Sequence, residues 1–265
     1  HKGLGNANKI MNRILFDGFE NYGLRITEID GGSLRNAIPR ESFAVVAIDV
    51  VHEVDFLYNV GEFIRSIQTE LKSIEPYLAI SLTKVDTPEL IMDLGVQEGL
   101  TRALYAAWNG VYKMSPDIEG LVETSNNIAR VVVKDGHIKI GCLTRSSVES
   151  TKKDLALTLR STFELTGCEV TMSGDYPGWA PDMDSSILKV LTGLYETMYS
   201  EKPHVAACHA GLECGILGTN YPEMEMISFG PNIKGAHSPD ERVQISSVNK
   251  FWRFLLEILK NIPEA

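Results

Sequence analysis

Residues 128–143 read Ile-Ala-Arg-Val-Val-Val-Lys-Asp-Gly-His-Ile-Lys-Ile-Gly-Cys-Leu, two largely apolar runs on either side of Asp135-Gly136. Asp-Gly between two such runs is a strong signal for a two-residue hairpin turn, because both turn residues must adopt positive φ. The sequence therefore predicts antiparallel strands at 128–133 and 137–143. A helical pattern follows at 147–165, so the hairpin is expected to lie in a domain of mixed α and β structure.

The same order of elements is predicted twice in the first two thirds of the chain. Apolar residues at helical spacing alternate with short runs at strand spacing, giving α-β-β-α-β over 3–86 and again over 87–174. Two such units predict an α+β layer with helices on one side of the sheet. Gly23 is predicted to end the first helix. The predicted helices are 4–20, 53–74, 87–108 and 147–165, and the strands are 24–29, 42–51, 77–85, 128–133, 137–143 and 168–173.

The last third of the chain has a different pattern. Two prolines and a glycine within Asp175-Tyr-Pro-Gly-Trp-Ala-Pro181 predict a domain boundary near residue 176. Alternating helices and strands then predict α/β layering, but about 85 residues make too small a core to stand alone. We therefore expect an incomplete α/β segment whose sheet is completed by other residues. Its predicted helices are 184–200 and 246–262, its predicted strands are 203–208 and 224–229, and a further helix is predicted after a short Gly-rich turn between the two strands.

Composition and charge exclude several classes of protein. The chain has 265 residues, of which 44% are hydrophobic and 23% charged, as in an ordinary globular protein. With 25 Lys and Arg against 35 Asp and Glu, the net charge of −10 argues against a nucleic acid or an anionic membrane as partner. No apolar run approaches the ~20 residues of a membrane span. Four cysteines are too few for a disulfide framework and indicate a cytoplasmic setting. Because the first residue is His1, we expect the interior of a longer protein.

No local catalytic signature occurs in the sequence, so any site must be assembled from separate loops. One candidate loop is Cys208-His-Ala-Gly-Leu-Glu-Cys214, which follows a predicted strand. Ligands of open α/β sheets bind beyond the carboxyl ends of strands, and backbone N–H groups near Gly211 suit a carboxylate.

Three other interpretations of this loop stay open. Cys208, His209 and Cys214 form a conceivable zinc site, although their spacing matches no established structural zinc pattern. A cysteine nucleophile paired with His209 would make the protein a cysteine hydrolase. The two cysteines are also consistent with small buried side chains that carry no chemistry.

Three more residues are candidates for a site. His237 precedes Ser-Pro-Asp-Glu in a polar loop, so it is either a metal ligand oriented by nearby carboxylates or a solvated histidine. Arg145 lies between a predicted strand and a predicted helix and suits bidentate recognition of a carboxylate. Asn36 could donate an amide N–H to a developing oxyanion. Ordinary roles at turns and on the surface are the alternative for Arg145 and Asn36.

Several segments together resemble the bacterial aminoacyl-histidine dipeptidases (Xaa-His or beta-alanyl-histidine dipeptidases), which are di-zinc peptidases with a lid domain. The resemblance runs along the whole chain in the right order, and the last two segments are the most specific. The segments are Gly3-Leu-Gly-Asn-Ala-Asn-Lys9, Gly31-Gly-Ser-Leu-Arg-Asn-Ala-Ile-Pro-Arg-Glu41, Leu143-Thr-Arg-Ser-Ser147, His209-Ala-Gly-Leu-Glu-Cys-Gly215 and Gly230-Pro-Asn-Ile-Lys-Gly-Ala-His-Ser-Pro-Asp-Glu-Arg242.

The resemblance implies a zinc-dependent enzyme that hydrolyses dipeptides of the Xaa-His type, with two zinc ions between a catalytic domain and the lid. It implies that 1–176 is the lid, which caps the substrate and joins a homodimer, and that 177–265 is the C-terminal part of the catalytic domain. The implied residues are His237 as a zinc ligand, Asn36 and Arg145 as catalytic residues of the lid, and Gly211 and Glu213 in the substrate pocket.

The family's other zinc ligands and its general-base glutamate belong to a region that this chain does not contain. We therefore expect a C-terminal fragment that is inactive alone and has the missing N-terminal catalytic half as its partner. Two other classes of function stay open: a non-catalytic dimerisation or peptide-binding module, and the cysteine hydrolase described above.

Overall fold

The computed structural model describes residues 2–207, 212–236 and 240–262. Contacts divide the chain into two units, His1–Asp175 and Tyr176–Ala265, which are called unit 1 and unit 2. None of the helices within the described residues is long and apolar enough to cross a membrane. Unit 1 contains α1 (Ala7–Tyr22), β1 (Arg25–Gly31), β2 (Ser42–Ala47), α2 (Glu53–Leu71), α3 (Leu94–Ala106), β3 (Gly110–Met114), β4 (Val122–Lys134), β5 (His137–Ser146) and α4 (Glu149–Glu164). Unit 2 contains α5 (Ser186–Tyr199), α6 (Glu213–Asn220), β6 (Ile233–Lys234), β7 (Arg242–Val243) and α7 (Ile245–Lys260).

The long strand β4 organises the antiparallel sheet of unit 1. It pairs with β5 along one edge, through the predicted hairpin, and both turn residues have positive φ (51° at Asp135 and 75° at Gly136). Because β5 occupies that edge, β1 and β3 must share the other one. There β1 pairs with 131–133 and β3 with 122–126, while β2 extends the sheet beyond β1.

The four helices of unit 1 contribute apolar side chains to a core against the sheet. Residues 124, 126 and 128 of β4 are buried, whereas 125 and 127 are only half-buried, so the helices cover one face and leave the other more open. The mixed α and β class predicted from the sequence is confirmed. The core includes Ile10, Ile14 and Leu15 of α1, Val60, Ile64 and Ile67 of α2, Leu100 and Leu104 of α3, Leu155, Leu159 and Phe163 of α4, and Ile26, Ile128 and Val131 of the sheet.

The closing strand predicted for each α-β-β-α-β unit is wrong: neither 77–85 nor 168–173 forms a strand. Leu78, Ile80, Cys168 and Val170 of these segments are partly buried and pack on the core. A strand also needs a neighbour for its backbone groups, which side-chain alternation does not reveal. The sequence analysis also missed β3.

The helix predicted to start at Thr87 begins at Leu94 instead. The Asp93 side chain caps it by accepting from the N–H of Val96 (3.1 Å). The preceding residues bond to β1, since Met92 N–H donates to the Ile26 carbonyl (2.7 Å) and the Thr27 hydroxyl to the Leu90 carbonyl. Those contacts hold the chain extended and delay the helix.

Unit 2 is built on aromatic packing between α5 and α7. Rings of Tyr195 and Tyr199 contact Phe254, which also contacts Phe229. Within the described residues, the strands predicted at 203–208 and 224–229 are absent, and β6 pairs only with β7. In the described part of both segments, no strand lies beside the backbone to pair with it.

Helix α7 has a second apolar face that lies opposite Phe254 and is exposed. Its side chains recur every three or four residues, which places them in one stripe along the helix. This stripe leaves unit 2 with an exposed apolar surface. The stripe consists of Ile245, Val248, Trp252, Leu256 and Leu259, which are 38–79% exposed.

Candidate functional site

The guanidinium of Arg145 lies on the half-buried face of the unit 1 sheet. Arg145 pairs with Ser125 of β4, and directly opposite residues project their side chains from the same face. Among the residues that the structure describes, none accepts a hydrogen bond from the Arg145 side chain or forms an ion pair with it. A guanidinium that bonds to no described residue suits a bidentate contact with a carboxylate.

Asn36 lies at the tip of the loop 32–41, which joins β1 to β2. The Ala37 N–H donates to the Leu34 carbonyl (3.1 Å), forming a turn around Asn36. The Asn36 side chain is exposed and has no hydrogen bond to any described residue. Its amide donors are therefore available to a ligand.

The loop tip is bound to the sheet face that also carries Arg145. Asn127 Nδ2 donates to the carbonyls of Ala37 (2.7 Å) and Arg35 (3.4 Å). Asn127 and Ser125 are two residues apart on β4, so their side chains share a face about 7 Å apart. The structure thus brings the Asn36 loop and Arg145 to the same face.

Asparagines complete the sheet where β1 and β3 leave a gap beside β4. The Ile128 N–H donates to Asn109 Oδ1 (2.9 Å), and its carbonyl accepts from Asn6 (3.1 Å) and Asn8 (3.2 Å). The asparagine side chains thus satisfy backbone groups that would otherwise be paired with a strand. Asn6 also accepts from the Lys9 N–H, capping α1.

Lys9 links α1 to the end of α3. Its Nζ donates to the carbonyls of Leu104 (2.7 Å), Tyr105 (2.8 Å) and Ala107 (3.2 Å), three acceptors at the C-terminal end of that helix. Burial lowers the pKa of the Lys9 ammonium. Together with Asn6 and Asn8, Lys9 gives the segment 3–9 a structural role that the sequence analysis missed. An asparagine just before a helical pattern was the one available signal.

The glycines at the base of the loop are enclosed by backbone and side chains. Gly32 has φ of 72°, and a Cβ there would lie 2.0 Å from the carbonyl oxygen of Ala129. A Cβ on Gly31 would lie 1.8 Å from Asn8 Oδ1. Arg130 Nη1 donates to the Gly32 carbonyl (2.6 Å), so the loop leaves the sheet along one fixed path.

The other predicted site residues belong to unit 2. Glu213 is exposed and is the first residue of α6, where a carboxylate is favoured by the helix dipole. A Cβ on Gly215 would lie 2.5 Å from the Pro177 carbonyl, so α6 packs closely on that segment. Gly211 and His237 lie outside the described residues.

The cysteine and metal hypotheses find no assembled site in the described part of the chain. Cys214 is a free cysteine on α6, whereas Cys208 and His209 lie outside the described residues. Burial raises the pKa of the Cys142 thiol to about 11, so that thiol stays protonated at neutral pH. Within residues 2–207, 212–236 and 240–262, no three His, Cys, Asp or Glu side chains are grouped to hold a metal ion. These residues alone do not fit a zinc centre.

Sequence comparison assigns the chain to a class of peptidases. Residues 24–261 match the peptidase family M20/M25/M40, and the chain belongs to that family.

Two similar proteins are dipeptidases. The cytosol non-specific dipeptidase of Escherichia coli is 40% identical over 264 residues, which cover 99% of this chain and 54% of that protein. The crystal structure of the aminoacylhistidine dipeptidase from Vibrio alginolyticus superposes with a TM-score of 0.93 at 40% identity, covering 100% of this chain and 54% of that one. The chain therefore spans about half the length of these relatives.

Proposed function

We propose that this chain is part of a cytoplasmic, zinc-dependent dipeptidase that hydrolyses dipeptides of the Xaa-His type, such as beta-alanyl-histidine. The single observation that carries the proposal is the placement of Asn36 and Arg145 toward one sheet face of a peptidase-family chain, with neither side chain bonded to a described residue. The names of both relatives support dipeptides as the substrate, the Vibrio name alone supports the Xaa-His type, and the E. coli name supports the compartment.

In this proposal unit 1 is the lid and unit 2 is the C-terminal part of the catalytic domain. Arg145 binds the carboxylate of the dipeptide, because a guanidinium matches that group with two parallel hydrogen bonds. Asn36 donates to the oxygen that becomes negative as the peptide carbonyl is attacked. Gly211 and Glu213 line the substrate pocket. A lid residue acts only when the lid closes on the substrate, so domain motion gates turnover.

The proposed zinc centre needs residues beyond the described ones. A zinc ion takes about four ligands, and His237 is the one ligand that the family resemblance assigns to this chain. When bound, two zinc ions would polarise the peptide carbonyl and acidify a water molecule. The remaining ligands and the general base would come from the missing N-terminal half, and the chain alone would be inactive.

The function is tested by metal removal in the full-length protein. We expect a chelator to abolish hydrolysis of beta-alanyl-histidine, thiol alkylation to leave it intact, and His237→Ala to remove most of the activity and bound zinc. His137→Ala is the matched control, since His137 is exposed in the β4–β5 hairpin. Activity that survives chelation but not alkylation would support a cysteine hydrolase. Dipeptide binding without hydrolysis would indicate the binding module.

The proposed homodimer joins two copies through unit 1. It is supported by exposed apolar residues in the turn before α2 and in the first turns of α2, where Val51, Val54 and Tyr58 are 72%, 78% and 66% exposed. We expect the full-length protein to sediment as a dimer and Val54→Asp to shift it toward monomer, because the charge would be buried at the interface. Leu165→Asp, at a position 88% exposed beyond α4, should leave the dimer unchanged. A dimer unaffected by Val54→Asp would place the interface elsewhere.

A further inference from the structure

We propose that Asn127 is a positioning residue that fixes the Asn36 carboxamide for catalysis. The inference rests on the proposed function, because it concerns the same loop and the same reaction. Asn127 itself does not touch the substrate. It acts by holding the backbone on both sides of Asn36, through the carbonyls of Arg35 and Ala37.

The amide of Asn127 is oriented from both of its ends. Its Nδ2 donates to the loop carbonyls, and its Oδ1 accepts from Asn6 Nδ2 (3.1 Å). Asn6 is 5% exposed and is itself fixed by bonds to Ile128 and Asn109. The loop tip is thereby connected, through the side-chain amides of Asn127 and Asn6, to the backbone of Ile128 in β4.

Asn127 provides the hydrogen bonds that reach the loop tip from outside the loop. Among the described residues, the bonds to 34–37 are the internal one from Ala37 to Leu34 and the two from Asn127. Other bonds hold only the base: Gly32 N–H donates to Glu41, and Ala7 N–H donates to Pro39. The base would therefore stay in place without Asn127, whereas the tip would lose its anchor.

Only an amide satisfies both partners at this position. An aspartate at 127 would still accept from Asn6, but it would turn an oxygen toward the loop carbonyls, which need a donor. An alanine would release the tip without repulsion. A misplacement of about 1 Å at a catalytic group can lower the rate 10²-fold, so the position of the tip matters for turnover.

The test is a double-mutant cycle on the full-length enzyme. We expect Asn127→Ala and Asn127→Asp to lower kcat by about 10- to 100-fold with little change in KM, as for a group needed in the transition state. In the Asn36→Ala background, Asn127→Ala should change kcat less than twofold, because the side chain that it positions is already gone. The control is Asn59→Ala, an exposed asparagine of α2 whose side chain, among the described residues, bonds to the Asp55 carbonyl of its own helix.

Amide hydrogen exchange provides a readout independent of activity. Asn127→Ala should speed exchange of the Ala37 amide about tenfold, while Gly32 and Ala7 at the loop base keep their rates. An equal drop in kcat with and without Asn36 would overturn the positioning role, because it would reveal a general structural effect. If Asn127→Ala left kcat unchanged in an active enzyme, the positioning role of Asn127 would be wrong and the proposed function would stand. A protein that hydrolyses no dipeptide would overturn both this role and the proposed function.

Discussion

Replacing Asn36 by alanine in the full-length enzyme should lower kcat by about 10²–10³-fold, the usual loss when one oxyanion donor is removed. The thermal midpoint should not change. The side chain is exposed and makes no hydrogen bond to any described residue, so its removal takes nothing from the folded state. The measurements are steady-state kinetics on a dipeptide and thermal unfolding of the same samples.

Arg145→Ala provides the comparison with Asn36→Ala, because it should raise KM rather than lower kcat. Loss of a charged hydrogen bond, worth about 1.5–3 kcal/mol, should appear mainly as a higher KM. With a dipeptide amide, which lacks the free carboxylate, the Arg145 effect should disappear and the Asn36 effect should persist. Arg160→Ala is the control, because Arg160 pairs with Glu164 on the surface of α4. If Asn36→Ala raised KM and left kcat intact, Asn36 would be a binding residue only.

Gly32→Ala should destabilise unit 1 by about 2–5 kcal/mol. Two costs combine: a positive φ of 72° in a residue with a Cβ, and a collision of that Cβ with the Ala129 carbonyl at 2.0 Å. The collision involves backbone of the central strand β4, so relief requires the loop to move away from the sheet. Denaturant unfolding of the chain measures the loss.

Gly23→Ala is the matched control for this experiment. Gly23 ends α1 with φ of 65°, but nothing lies within 4 Å of a Cβ there. Its replacement should cost only the conformational part, about 1 kcal/mol. The difference between the two variants measures the collision with Ala129. Equal losses would mean that the loop base adapts freely and that the close approach has no energetic weight.

Local signals predicted much of unit 1 correctly. The Asp135-Gly136 turn and the helix that ends at Gly23 both follow from residues close together in the sequence. Strand pairing does not follow from such local signals. The segments 77–85 and 168–173 have the alternation of strands but no ladder, because pairing depends on which backbone lies beside them.

The site was predictable only in part for a similar reason. Asn36 and Arg145 have suitable chemistry and occur in segments that resemble a family, so both could be named from the sequence. The contacts that bring Asn36 and Arg145 to one face could not be predicted from the sequence. Asn127 reaches Ala37 across 90 positions of sequence, and Asn6 reaches Ile128 across 122. No periodicity or local motif encodes hydrogen bonds of that range.

The shared edge of β4 has a consequence for the order in which unit 1 assembles. The β4–β5 hairpin joins neighbours in sequence and can form early. Docking of β1 onto β4 must wait until a very long stretch of chain has closed, which is entropically slow. The loop with Asn36 follows β1 directly, so we expect the sheet face beside this loop to form last during refolding.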